Sequence, residues 1–575
     1  MSHSTAWLAS CAIVVLTTML TNVSTAVDPE PANADTRARA FINHHEAEIR
    51  PLEIAVNLAW WKANTTGNDE DFAAKEEAQN KLDGALSNPE RFAELKALRD
   101  SELSDPLMAR QIAVLYLMYL EKQVPSKLLQ QITAKANEIE KAFNVYRAKV
   151  GDRELTDSEV RKVLSDSQDS SERKTVWEAS KRVGPVVAAD LKDLVRLRND
   201  VARHLGFKNY HVLQLHINEQ SQDSVLELFD ELDELTRAPF EAAKAEIDAK
   251  LAADYHIPSV ELRPWHYHDP FFQEVPSVFG TNLDAAFEKL RKDEIPKLCA
   301  KFYEGIDLPV ADVLQRSDLY ERHGKSPHAF CTDIDREGDV RVLANIVANE
   351  YWMSTMLHEL GHAVYSSKNI PSEMPYVLRT DAHILATEGV AMMFERFAKS
   401  GDWLVAMGVE VPDIEAYNKA GARMRRDQLL IFSRWCQVML RFEKALYEDP
   451  AQDLNSLWWD LVEKYQGLTR PEGRNAPDYA SKIHIVSAPA YYHNYMLGQL
   501  FACQVHRTIA REVLHANDWP SAYYVKDPGV GRFMRERVFA PGRTLNWNDL
   551  TRHATGEPLK AQAFAEEFAG RADKP

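Results

Sequence analysis

The chain has 575 residues and a formal charge of −18, with only 22 glycines and 27 prolines. That acidity, with no dense Lys/Arg stripe to offset it, repels polyphosphate backbones and excludes nucleic acid as an expected partner. Sparse Gly and Pro with recurrent Ala, Leu, Glu and Lys favour helices over strands and turns, and the length allows a large core.

Residues 1–26 carry no Asp, Glu, Lys or Arg; an apolar stretch runs from Trp7 to Leu20, and Ser24-Thr25-Ala26 precedes Val27-Asp28-Pro29. This pattern predicts a signal peptide cleaved after Ala26 and a secreted or periplasmic protein. The competing reading is an N-terminal membrane anchor, but the apolar run is short of the ~20 residues a span needs. Leu8-Ala9-Ser10-Cys11 matches a lipid-attachment site superficially, yet it lies before most of the apolar run. No later segment is apolar enough to span a bilayer.

From Lys127 to Arg147, Leu128, Ile132, Ala136, Ile139, Phe143 and Tyr146 recur in steps of three and four, which predicts an amphipathic helix. Ser224-Val225-Leu226-Glu227 reads as a capping box opening another helix, with Leu228, Leu232 and Leu235 on its apolar side. Irregular stretches are expected at Ile257 to Pro276, Asp318 to Gly338 and Gly467 to Asp478. None has the composition of a disordered linker, so residues 27–575 read as a single helical domain, folded in two halves around a cleft. Four cysteines follow the leader, Cys299, Cys331, Cys436 and Cys503. They form no CxxC pair, which excludes a cysteine zinc site and leaves free thiols and disulfides both open.

Asn345 to Lys368 is a helix candidate with Met356, Leu357, Leu360 and Val364 in one apolar arc. His358 and His362 fall together on the other side, only ~40° apart around the axis. Two imidazoles one turn apart can bind one ion, and Glu359 beside them can reach a water on it, which is the logic of His-Glu-x-x-His. A catalytic zinc needs a third protein donor and an open position. A following Gly-x-x-His is excluded because Tyr365 stands where the glycine belongs. Glu388, in Thr387-Glu388-Gly389 before the apolar-periodic Val390 to Phe397, is the preferred third ligand. Glu373 and Glu395 are the alternatives, Glu395 reading as an ordinary solvated helix position.

Beyond the zinc motif the sequence resembles the angiotensin-converting-enzyme family of zinc peptidyl-dipeptidases, most of all its single-domain bacterial branch. The shared pieces are Trp60-Trp61-Lys62-Ala63-Asn64-Thr65-Thr66, Asp269-Pro270-Phe271-Phe272-Gln273, His328-Ala329, the zinc helix, Arg379 to Glu388, and Lys482-Ile483-His484-Ile485 leading to Tyr491-Tyr492-His493-Asn494-Tyr495. They span roughly residues 45 to 510 in conserved order, and the Lys-x-His with Tyr-x-x-Tyr block is the most specific.

The resemblance implies an all-α, prolate gluzincin with a deep central channel, only minor strands and one Zn²⁺ per chain. It implies a peptidyl-dipeptidase (dipeptidyl carboxypeptidase) acting on short peptides with a free C-terminus. Metal ligands would be His358, His362 and Glu388. Glu359 would be the general base, and Tyr495 and His484 would face the developing oxyanion. His328 and Ala329 would align the peptide as an added strand, and Lys482, Tyr492 and Gln273 would hold the terminal carboxylate. Two departures stand out. Asn494 replaces the arginine associated with bound chloride, so chloride activation is not expected, and Met392 replaces an aspartate that orients a zinc histidine, so another acceptor must do so. A thimet-type oligopeptidase cutting internally, or a catalytically silent binding relative, are the competing functions.

Overall fold

A computed structural model describes residues 33–280 and 282–568; the expected leader and the Cys11 motif lie outside the described residues. Helices hold 68% of the chain and strands 3%, so the all-α, prolate helical class expected from the sequence holds.

The long first helix α1 (Ala34–Thr66) starts where the Asn33 side chain accepts from the Thr36 N–H and stops at Gly67, whose φ of 70° takes the left-handed cap. The amphipathic helix expected at 127–147 is α2 (Ser126–Val145). It is followed by a small hairpin of β1 (Ala148–Val150) and β2 (Arg153–Leu155). The next long helix, α3 (Gln222–Tyr255), is capped by Ser221, which accepts from the Ser224 N–H. Ser224 therefore lies in the first turn rather than at the cap, because Ser221 offers the same hydroxyl three residues earlier.

Within the segment expected to be irregular lies β3 (Phe330–Asp333), which pairs antiparallel with β4 (Val340–Leu343) just beyond it. The metal-motif helix α4 (Glu350–Val364) is shorter than expected. Asn349, at φ −154° and ψ 173°, sits outside the helix and its side chain accepts from the Trp352 N–H, so residues 345–348 do not join it. Then come α5 (Ile384–Glu395), α6 (Ile414–Glu448), α7 (His493–Glu512) and α8 (Gln562–Phe568).

Two apolar clusters fill the body. The smaller joins Phe41 and Ile49 of α1 to Ile112, Leu115 and Tyr119, with Val377 and Leu378 arriving from afar in sequence. The larger takes in Met353, Met356, Leu357 and Leu360 of α4, Leu385, Val390 and Phe394 of α5, and Leu497 and Phe501 of α7. Each such side chain fully buried contributes about 1.5–3 kcal/mol, so the metal-motif helix is anchored by its apolar arc. Cys299, Cys331, Cys436 and Cys503 are all free thiols. No described helix is long and apolar enough to cross a membrane.

Candidate active site

Two glycines bring the site together. A Cβ on Gly361 of α4 would lie 2.7 Å from the Ala391 Cα of α5, and one on Gly389 of α5 would lie 2.7 Å from the Gly498 carbonyl oxygen of α7. The three helices thus cross backbone to backbone, which only a missing side chain permits. The His383 ring opens α5 by accepting from the Leu385 N–H at 3.0 Å through Nδ1, and this places Glu388 against the α4 histidines.

His358 Nε2 and His362 Nε2 stand 3.1 Å apart. Glu388 Oε2 lies 3.6 Å from the first and 3.9 Å from the second. The three donors fall within 4.8 Å of one another. Their other ring atoms are held from behind. His358 Nδ1 donates to Glu395 Oε2 at 2.6 Å, and His362 Nδ1 lies 2.8 Å from the Thr387 hydroxyl. A carboxylate can only accept, so the His358 proton sits on Nδ1 and the Nε2 lone pair faces the centre. Glu395 is therefore no ordinary solvated position. It follows Glu388 by two helical turns, shares its face, and supplies the acceptor that Met392 cannot.

The electrostatics point the same way. Burial opposes charge on His358, but Glu395, with Glu359 and Glu388, outweighs it and raises the imidazole to about 9. Burial raises Glu359 to about 7, with His358 pulling the other way. Burial also raises Glu388. Three carboxyls converge on two imidazoles, and the site is short of positive charge. Once a metal displaces the extra proton from His358, two imidazole nitrogens and a carboxylate oxygen converge, a donor set that fits a tetrahedral Zn²⁺ with one position open.

His358, Glu359, His362 and Glu388 line a cavity of about 610 Å³ that also contains Ala329, Phe330 and Cys331 from the β3 side, Tyr365, Asp381, Met392 and Tyr495. Of the residues expected to act on substrate, Glu359, Ala329 and Tyr495 are on its wall. His328 is exposed and outside it. His484 is also outside the lining and packs edge-on against Tyr492, ring centroids 5.4 Å apart, with Tyr492 in turn 5.5 Å from Tyr495. Burial, then Lys482, pushes His484 down to about 4, so its imidazole is neutral.

The residues expected to hold a carboxylate converge as a group. Lys482 Nζ donates to Gln273 Oε1 at 2.7 Å. Its ammonium lies 5.2, 5.3 and 5.5 Å from the ring centroids of Trp435, Phe271 and Tyr492. Asp269 explains why its motif is shared: its Oδ1 accepts from the Phe271 and Gln273 N–H groups, fixing the turn that presents Gln273.

A family model described as peptidase family M3 matches residues 163–570, and one described as angiotensin-converting enzyme matches residues 32–261. The chain belongs to peptidase family M3. The angiotensin-converting-enzyme model covers less than half of the chain and ends before the metal motif, so it marks a similarity. The angiotensin-converting enzyme of Theromyzon tessulatum is 20% identical over 43% of this chain and 41% of its own length. That of Mesocricetus auratus is 21% identical over 51% of this chain and 23% of its own. The angiotensin-converting enzyme-like protein Ace3 of Mus musculus is 19% identical over 71% of this chain and 59% of its own. The matched stretch thus spans less than two thirds of each of these relatives. Both families are zinc metallopeptidases, and the His358-His362-Glu388 cluster agrees with them.

Proposed function

We propose that this zinc metallopeptidase removes dipeptides from the free C-termini of short peptides, in an extracytoplasmic compartment to which the leader directs it. The observation that carries the reading is the Lys482–Gln273 contact beside Tyr492, a buried cation and an amide two aromatic rings away from the cavity wall. A peptide carboxylate would exchange the Gln273 oxygen for its own and gain the Tyr492 hydroxyl, a charge-assisted anchor at a fixed distance from the scissile bond.

His358, His362 and Glu388 would hold the metal, which when bound lowers the pKa of a water and polarises the scissile carbonyl. Glu359 takes the proton from the attacking water and passes it to the departing nitrogen, a task suited to a carboxyl that burial has raised to about 7. Tyr495 donates its hydroxyl to the developing oxyanion, and the neutral His484 imidazole supports it from behind Tyr492. Strand β3 pairs only with β4 among the described strands; beside the cavity the Cys331 N–H bonds to Glu359, and the peptide backbone is received at Ala329.

Internal cleavage of oligopeptides is the second reading, because the family-M3 match covers the metal site and the angiotensin-converting-enzyme match does not. Mass spectrometry of products from a hexapeptide acid and its C-terminal amide separates the two. Stepwise dipeptide loss from the acid alone supports the anchor; internal cuts in both overturn it.

A further inference from the structure

The cavity has an acidic end that the catalytic reading leaves unused. Asp333 and Asp381 both stand on its wall, and Ser366 and Thr380 are also in the lining. Asp333 is spent on its own turn: its carboxylate accepts from the Ser367 N–H at 2.9 Å and the Arg336 N–H at 3.0 Å.

Asp381 is different. No described side chain forms a hydrogen bond or ion pair with its carboxylate. Two arginines stand within electrostatic reach without pairing with it. Arg336 pairs with Glu53 and donates to the Tyr376 carbonyl, and Arg543 leaves its own Nε without a partner. Burial outweighs Arg543 and holds the Asp381 carboxyl above its ordinary range. The protein supplies little positive charge to this carboxyl on the cavity wall.

The metal donors and Tyr495 share the cavity wall with Asp381, and Lys482 lies off that wall beside Tyr492. Asp381 is within electrostatic reach of Glu388, Glu388 of Tyr495, and Tyr495 packs on Tyr492, which carries Lys482. A peptide whose carboxylate lies at Lys482 runs its amino-terminal side past the metal donors toward Asp381.

We propose that Asp381 is a specificity-determining residue, its carboxylate receiving an ammonium or guanidinium group that the substrate carries on the amino-terminal side of the scissile bond. The orientation rests on the carboxylate-anchor reading above; the preference for a cation does not.

The test is a set of N-acetylated hexapeptide acids with lysine, arginine or norleucine at either of the two positions before the cut, plus the norleucine peptide with a free amine. The zinc-loaded wild-type enzyme and Asp381→Asn are compared by kcat/KM, with products assigned by mass spectrometry. Wild type favours a cationic peptide over its norleucine partner by roughly ten- to hundredfold, and the ratio falls toward one in Asp381→Asn. A preference for the free amine over the acetylated norleucine peptide identifies the α-ammonium as the cation read. A wild-type enzyme indifferent to every charge overturns the proposal, as does a preference that survives in Asp381→Asn. The ratio is internal to each protein, so a partly misfolded variant still reports it. Internal cuts would refute dipeptide release while leaving the charge ratio to decide the role of Asp381.

Discussion

Glu395 Oε2 receives the His358 Nδ1 proton at 2.6 Å from the same helix face that carries Glu388, so one short helix provides both a metal donor and the brace for a second. Removing such a brace loosens ring orientation and basicity without removing a ligand. Glu395→Ala is expected to weaken zinc binding about 10- to 100-fold in chelator competition, and Glu395→Gln, which can still accept, to lie between.

Glu359→Gln leaves the three donors in place and removes the proton acceptor. Zinc content by mass spectrometry is expected to match wild type while kcat falls on the order of 10²–10⁴. A variant that turns over normally would remove Glu359 from the proton-transfer role.

Burial holds the Lys482 ammonium down to about 8. A lowered amine pKa means the charge is present below that pH and lost above it. The KM of free-acid peptides should therefore climb as pH passes about 8, with the KM of C-terminal amides staying flat. Lys482→Gln should abolish the inflection. An identical pH profile for acid and amide would contradict the anchor.

Gly361→Ala pushes a methyl to 2.7 Å from the Ala391 Cα, whereas Gly84→Ala meets nothing within 4 Å. The first should lower stability by about 1–3 kcal/mol, and the second should raise it by roughly 0.5–1 kcal/mol by relieving a helical glycine. Thermal melting of both variants checks the sign, and zinc affinity should fall only in the first.

Much of this was legible in the sequence because it is local. The periodicity around Leu128 and Ile139, and the one-turn spacing of His358 and His362, depend on helix geometry alone. Glu395 was legible in principle, since two turns from Glu388 place it on the same face. It was misread because a lone glutamate on a helix is usually solvated, and nothing in sequence tells which helix covers it. The starts of α3 and α4 are set by the side-chain hydrogen bonds of Ser221 and Asn349, which apolar periodicity does not reveal. Gly361 and Gly389 could not be weighted, because the reason for a bare Cα lies on another helix. Asp381 escaped notice for a related reason: its importance comes from partners it does not have.

The backbone contact at Gly361 also bears on how the protein loses its metal. His358 and His362 belong to one side of that crossing and Glu388 to the other, so the three donors are neighbours only while the helices stay pressed together. A bound ion is consequently a clamp across the joint, and its binding energy adds to the work of parting the two helices. Heating should release zinc and melt the surrounding core as one event rather than two, with a melting temperature that follows the free zinc concentration.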